Sequence, residues 1–111
     1  PRFIGMRRAK ELMLTNRVLT AEEALSYDIV DQVVADDELA EVAEAQVRAF
    51  ATGPTGAYGA VKRLIDGTFK ESLETQMELE SRSISSLAAA PDGREGIGAF
   101  VEKRKPTFKG I

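Results

Sequence analysis

Neither cysteine nor histidine occurs among the 111 residues. Their absence removes disulfide frameworks, zinc clusters, thiol nucleophiles and every histidine-based triad. Carboxylate, lysine and hydroxyl chemistry is what remains. No apolar run approaches the roughly 18 residues that a membrane helix needs, and no segment follows the charged, apolar, small-residue order of a secretory signal. The expectation is a cytoplasmic chain with no membrane partner. There is also no initiator Met; the chain begins at Pro1, which fits a processed start or a piece of a longer chain equally well.

With 43% hydrophobic and 30% charged residues, the composition is that of one soluble globular domain or a part of one. A compact fold of this length buries roughly 65% of the surface of its unfolded chain, enough for a modest core but not for a core plus a deep pocket. The net charge of −3 gives no reason to expect a nucleic-acid partner. The charge is unevenly spread. Arg2, Arg7, Arg8, Lys10 and Arg17 against Glu11 make the first nineteen residues basic, and Arg94, Lys103, Arg104, Lys105 and Lys109 outnumber Glu95 and Glu102 at the other end. The middle is strongly acidic. Such basic ends are either solvated helix termini or local anion sites.

Hydrophobic periodicity predicts a mostly helical chain with at most one short strand. Ala9, Leu12 and Met13 mark a helix over 6–14 that Thr15 and Asn16 end. Thr20-Ala-Glu-Glu23 has the form of a capping box, and Asp28 closes the helix it opens. Ile29, Val30, Val33 and Val34 are a β-branched patch, a strand only if a partner exists elsewhere. From Asp37 a stripe of Leu39, Val42, Ala43, Val47 and Phe50 runs to a stop at Gly53-Pro54. Further helices are expected from Thr55 to about Phe69 and from Ser72 to Ala90, where Pro91 breaks the second. Asp92-Gly-Arg-Glu95 looks like another box, opening a last helix whose apolar edge is Ile97, Phe100 and Val101 and which ends near Lys105-Pro106.

Two glycine groups invite a phosphate reading and fail it. Gly53, Gly56 and Gly59 follow a helix rather than a strand and lack the lysine of a phosphate loop. Gly93, Gly96 and Gly98 carry the dinucleotide spacing in reverse, with no strand before them, and fit close packing at a helix start. Glu80 shares a stripe with Met77 and Ile84, which places a carboxylate toward a core, where it must be paired or functional. An ion pair with Arg94 or Arg104 is the simpler expectation. No second carboxylate stands at an acid/base spacing from it, so no catalytic residue and no metal ligand is assigned within the chain. From periodicity alone, Phe100 lies in the core stripe and Lys103 in a solvated tail.

Arg2-Phe-Ile-Gly5, Arg8-Ala-Lys-Glu-Leu12, Leu14-Thr-Asn16 and Leu19-Thr-Ala-Glu-Glu-Ala24 together resemble the segment that follows the active site in the enoyl-CoA hydratase/isomerase, or crotonase, family. The remainder agrees in order. Asp28-Ile-Val-Asp-Gln-Val-Val34 is similar to the family's Gly-Leu-Val stretch, with Asp28 where glycine is usual; Lys62 and Glu80 fall at its usual lysine and glutamate; and the run from Arg94 to Arg104 resembles its ending. The resemblance spans essentially the whole chain. It implies the helical C-terminal layer of a ββα spiral fold, with residues 1–35 a connection following the spiral core and 36–111 a region for oligomerisation and CoA covering. Members bind an acyl-CoA thioester as substrate and need no separate cofactor. They hold its carbonyl oxygen between two backbone amides and move protons with glutamate or aspartate, using parts that precede this segment. A homo-oligomer, a trimer or dimer of trimers, is the expected assembly.

The resemblance further implies substrate binding by Phe100 and Lys103, which match positions that contact CoA. An aromatic face suits the adenine ring, and an ammonium suits a phosphate. On this reading the chain by itself is catalytically inert, because the oxyanion donors lie outside it. The competing expectation is a freestanding helical module whose acidic face binds a protein partner. It leaves unexplained why every helix carries an apolar stripe that a bundle of this size would struggle to bury.

Overall fold

The computed structural model describes all residues, 1–111, as six α-helices with no strand. The chain divides into two compact units, Pro1–Glu41 and Val42–Ile111.

In the first unit, α1 (Gly5–Thr15) and α2 (Ala21–Ser26) are joined by a short loop. Asn16 ends α1 in the left-handed region at φ 49°, its amide bonded to the Leu12 carbonyl, a conformation asparagine adopts more readily than most residues. The capping box at Thr20 forms completely: the Glu23 amide donates to the Thr20 hydroxyl and the Thr20 amide to the Glu23 carboxylate. Arg17 in the connecting loop donates to Glu11, Glu23 and Tyr27, with Arg8 stacked on the Tyr27 ring at 4.4 Å, so one guanidinium links both helices. Its proton is held more tightly than usual, chiefly by the Glu11 hydrogen bond.

After α2 the chain reverses. The Asp28 amide bonds to the Leu25 carbonyl and the Ile29 amide to the Ala24 carbonyl, the two hydrogen bonds of a Schellman turn, with Asp28 at φ 58° in the position that favours glycine. The β-branched patch that follows, Ile29 to Val34, is irregular and not a strand. Its residues have strand propensity but nothing to pair with, and propensity alone does not make a ladder.

The boundary between the units falls within α3 (Leu39–Ala51), which starts two residues later than its acidic lead-in suggests and stops, in the second unit, at the Gly53-Pro54 turn. There Tyr58 packs edge-on against Phe50, ring centres 6.0 Å apart, and lies so close to Gly53 that a Cβ at that position would meet its hydroxyl. The next two helices, α4 (Thr55–Gly67) and α5 (Leu73–Ala89), pack together, and α5 packs on α6 (Pro91–Val101). Ser72 caps α5 through the Thr75 amide.

The second box does not form. Pro91, whose ring suits the first helical position, both ends α5 and opens α6. Asp92 is therefore already inside the helix and cannot cap it. At the same corner a Cβ on Gly93 would sit 1.9 Å from the Leu87 carbonyl oxygen, so the α5–α6 corner closes only around glycine.

Ala9, Ala60 and Ala99 are the only apolar side chains that are buried. The stripes are there but lie open: Leu73, Met77 and Ile84 on α5 are 72%, 61% and 68% exposed. Covering each would stabilise the fold by about 1.5–3 kcal/mol.

Replacing Asp28 by glycine should remove the left-handed strain, about 1–2 kcal/mol for an ordinary residue, at an entropic cost of about 0.5–1 kcal/mol. A rise in stability of about 0.5 kcal/mol in denaturant titration is expected. A loss of stability would show that the Asp28 side chain has a favourable role.

Candidate functional site

Phe100 and Lys103 come together at the end of α6. The helix finishes in a second Schellman turn: the Lys103 amide bonds to the Phe100 carbonyl at 3.2 Å and the Arg104 amide to the Ala99 carbonyl at 3.0 Å. Lys103 occupies the left-handed position, φ 54°, that glycine usually fills. Phe100 is 84% exposed, not part of a core. The periodicity placed it correctly on the apolar edge with Ile97 and Val101, but that whole edge faces outward in this chain, at 56% and 73% exposure for the two neighbours. Lys103 is exposed beside it.

Beyond this turn the last residues double back along α6, held by two carboxylates one helical turn apart. Asp92, 8% exposed, accepts from the Lys109 amide at 2.8 Å and the Gly110 amide at 2.7 Å, and its own amide donates to the Ile111 carbonyl. Glu95 accepts both guanidinium arms of Arg104, at 2.6 and 2.9 Å, and the Thr107 amide at 2.8 Å. Arg104 also donates to Glu102. The fork and the amide together hold the Glu95 carboxyl at a pKa of about 2, the Arg104 hydrogen bond being the larger cause. Phe108 on the returning segment lies against Gly96. The periodicity could not reveal this clasp, because a carboxylate bonded to amides twelve to eighteen residues away leaves no local pattern. Pro106 and Gly110, turn formers after a helix, were the available signal.

Glu80 does not make the expected ion pair. It is exposed and accepts from the Gln76 side chain at 2.8 Å, while Arg104 is taken by Glu95 and Glu102. The stripe it belongs to is uncovered here, so no low-dielectric setting demands a cation. Val61, Leu64, Ile65, Thr68, Gln76 and Glu80 line an open groove of about 270 Å³ between α4 and α5. Gln76 also reaches toward the Leu64 carbonyl, and its side-chain oxygen is buried without a partner. Lys62 is exposed on α4. No three acidic side chains converge as a metal site would need, and no helix is long and apolar enough to cross a membrane.

The family model for enoyl-CoA hydratase/isomerase matches residues 1–111. The chain belongs to this family. Among curated relatives, the 1,2-epoxyphenylacetyl-CoA isomerase of Escherichia coli is 40% identical over 111 residues, 99% of this chain and 42% of the relative. The trans-2-decenoyl-[acyl-carrier-protein] isomerase of Streptococcus mutans is 33% identical over 98% of this chain and 41% of its own length. The crystal structure of an enoyl-CoA hydratase from Bacillus anthracis superposes with a TM-score of 0.89 at 35% identity, covering all of this chain and 43% of that one. This crotonase-family chain thus spans about two fifths of the length of the relatives it matches.

The clasp should respond to acid. Glu95 has a folded pKa near 2 against 4.5 for an ordinary glutamate, so its contribution is complete above about pH 4.5 and is lost as pH falls toward 2. Hydrogen exchange at the Thr107 amide should accelerate across that window in the wild type, relative to an amide within α5. A Thr107 amide unprotected at pH 6 would show that the clasp does not hold in solution.

Proposed function

We propose that this chain is the C-terminal helical part of a cytoplasmic enoyl-CoA hydratase/isomerase that acts on acyl-CoA thioesters through an oxyanion-stabilised enolate and assembles as a homo-oligomer, a trimer or dimer of trimers. The observation that carries the reading is the match of every residue to the family by a chain two fifths as long as its relatives. The open apolar faces support it. A freestanding module has no reason to leave Leu73, Met77 and Ile84 in water, whereas a layer that packs on a larger core does.

In this reading Phe100 and Lys103 bind the substrate's nucleotide end. The exposed ring offers a face on which an adenine can stack. Lys103 brings an ammonium to the same helix end, with Lys105 close by in sequence, where a phosphate can be held as a point charge. The backbone supports a ligand-directed role for Lys103: a lysine kept where glycine would be unstrained costs stability, and such residues cluster at functional sites. The chain's part in the chemistry is then to hold the thioester's carrier, while the enolate forms at groups outside it. An acyl-carrier-protein substrate, as the Streptococcus mutans relative is named for, shares the phosphopantetheine but not the adenine, and would leave Phe100 without its role.

Two outcomes test this. The isolated chain should show no hydration of crotonyl-CoA under conditions where the full-length protein turns it over; turnover by the isolated chain would place the catalytic groups here. In the full-length protein, Lys103→Gly should raise the KM for crotonyl-CoA about five- to tenfold with kcat nearly unchanged, while the unfolding midpoint rises because the left-handed strain is relieved. An unchanged KM removes Lys103 from the binding site.

A further inference from the structure

Lys103 is held in its left-handed conformation by more than the helix it ends. Only two hydrogen bonds close the Schellman turn, and in most helices glycine makes them without strain. A lysine at that position returns to ordinary backbone angles unless its surroundings fix it. The next residue supplies the constraint. The Arg104 guanidinium is forked on Glu95 from the preceding turns of α6, and the Thr107 amide closes on the same carboxylate, so the chain on the far side of Lys103 is tied to the helix on the near side. Asp92 repeats the device a turn earlier on Lys109 and Gly110.

The energetics argue for a conformational role. Glu95 is 26% and Arg104 44% exposed in their side chains, and ion pairs so open to water contribute little to overall stability. What the fork supplies is geometry: two parallel bonds fix a plane, as a single lysine–carboxylate contact would not.

We infer that Glu95 and Arg104 are positioning residues for Lys103, fixing the turn that aims its ammonium at the substrate's phosphate. The inference rests on the proposed binding role of Lys103. It adds that two residues with no ligand contact of their own set the affinity for the nucleotide end, acting through the backbone of one strained lysine.

A double-mutant cycle in the full-length protein separates the two claims, with coenzyme A as the probe and its Kd measured by titration calorimetry. Lys103→Gly alone should weaken binding about five- to tenfold; if it does not, the binding role itself fails and this inference falls with it. Given that loss, Glu95→Gln and Arg104→Lys should each weaken binding about three- to fivefold in the native background. In the Lys103→Gly background they should change it by less than 1.5-fold, because no aimed ammonium remains to be misplaced. Equal losses in both backgrounds would mean that Glu95 and Arg104 act on folding or touch the ligand directly. No loss in the native background would mean that the turn holds without them. Either result overturns the positioning role while leaving that of Lys103 standing. Arg104→Lys keeps the charge and so guards against an effect of net charge alone.

Discussion

Helix ends, rather than a core, hold the described structure of this chain, and most of its other features follow from that constraint. With three alanines as the buried apolar residues, the usual driving force of folding is nearly absent inside the chain. Helices approach where side chains are small, as at the Gly93 corner, and the segments between them are fixed by hydrogen bonds at termini: the box at Thr20, the Ser72 cap, the left-handed turns at Asn16, Asp28 and Lys103. Each is worth on the order of 1 kcal/mol. Such bonds define geometry well and stability poorly. In the proposed reading the chain packs on something larger and draws its stability from the surface it covers.

The same constraint explains which parts of the structure are legible in the sequence. Signals local to a helix end were readable: Thr20 with Glu23, Ser72, Gly53-Pro54 and Asp28 all act within a few residues of themselves. Periodicity gave the right stripes but no information on what covers them, so Phe100 and Glu80 were placed toward a core this chain does not contain. The β-branched patch after Asp28 failed for the related reason that a strand is a property of two segments. The box at Asp92 and Glu95 does not form because Pro91, one residue before the apparent cap, sets the start of the helix, freeing both carboxylates for the returning chain. The family resemblance, by contrast, depends on ordered residues and not on burial, and the family it names is the one whose model matches the whole chain.

The three left-handed residues also differ in a telling way. Asn16 and Asp28 carry short polar side chains, which tolerate that conformation better than most. Lys103 does not, and the arginine that follows it bonds back to the helix it ends, as Arg17 after Asn16 bonds back to Glu11. If the turn were required only to reverse the chain, glycine would accomplish it without strain, and neither the forked arginine nor the bonded amide of Thr107 would be needed. On the inference drawn above, a lysine in this position draws support from Glu95, which holds Arg104 and the Thr107 amide on the far side of the turn. A costly residue and the contacts that keep it in place are best understood together. What lysine adds over glycine is a cation at the end of the helix, beside an exposed aromatic ring.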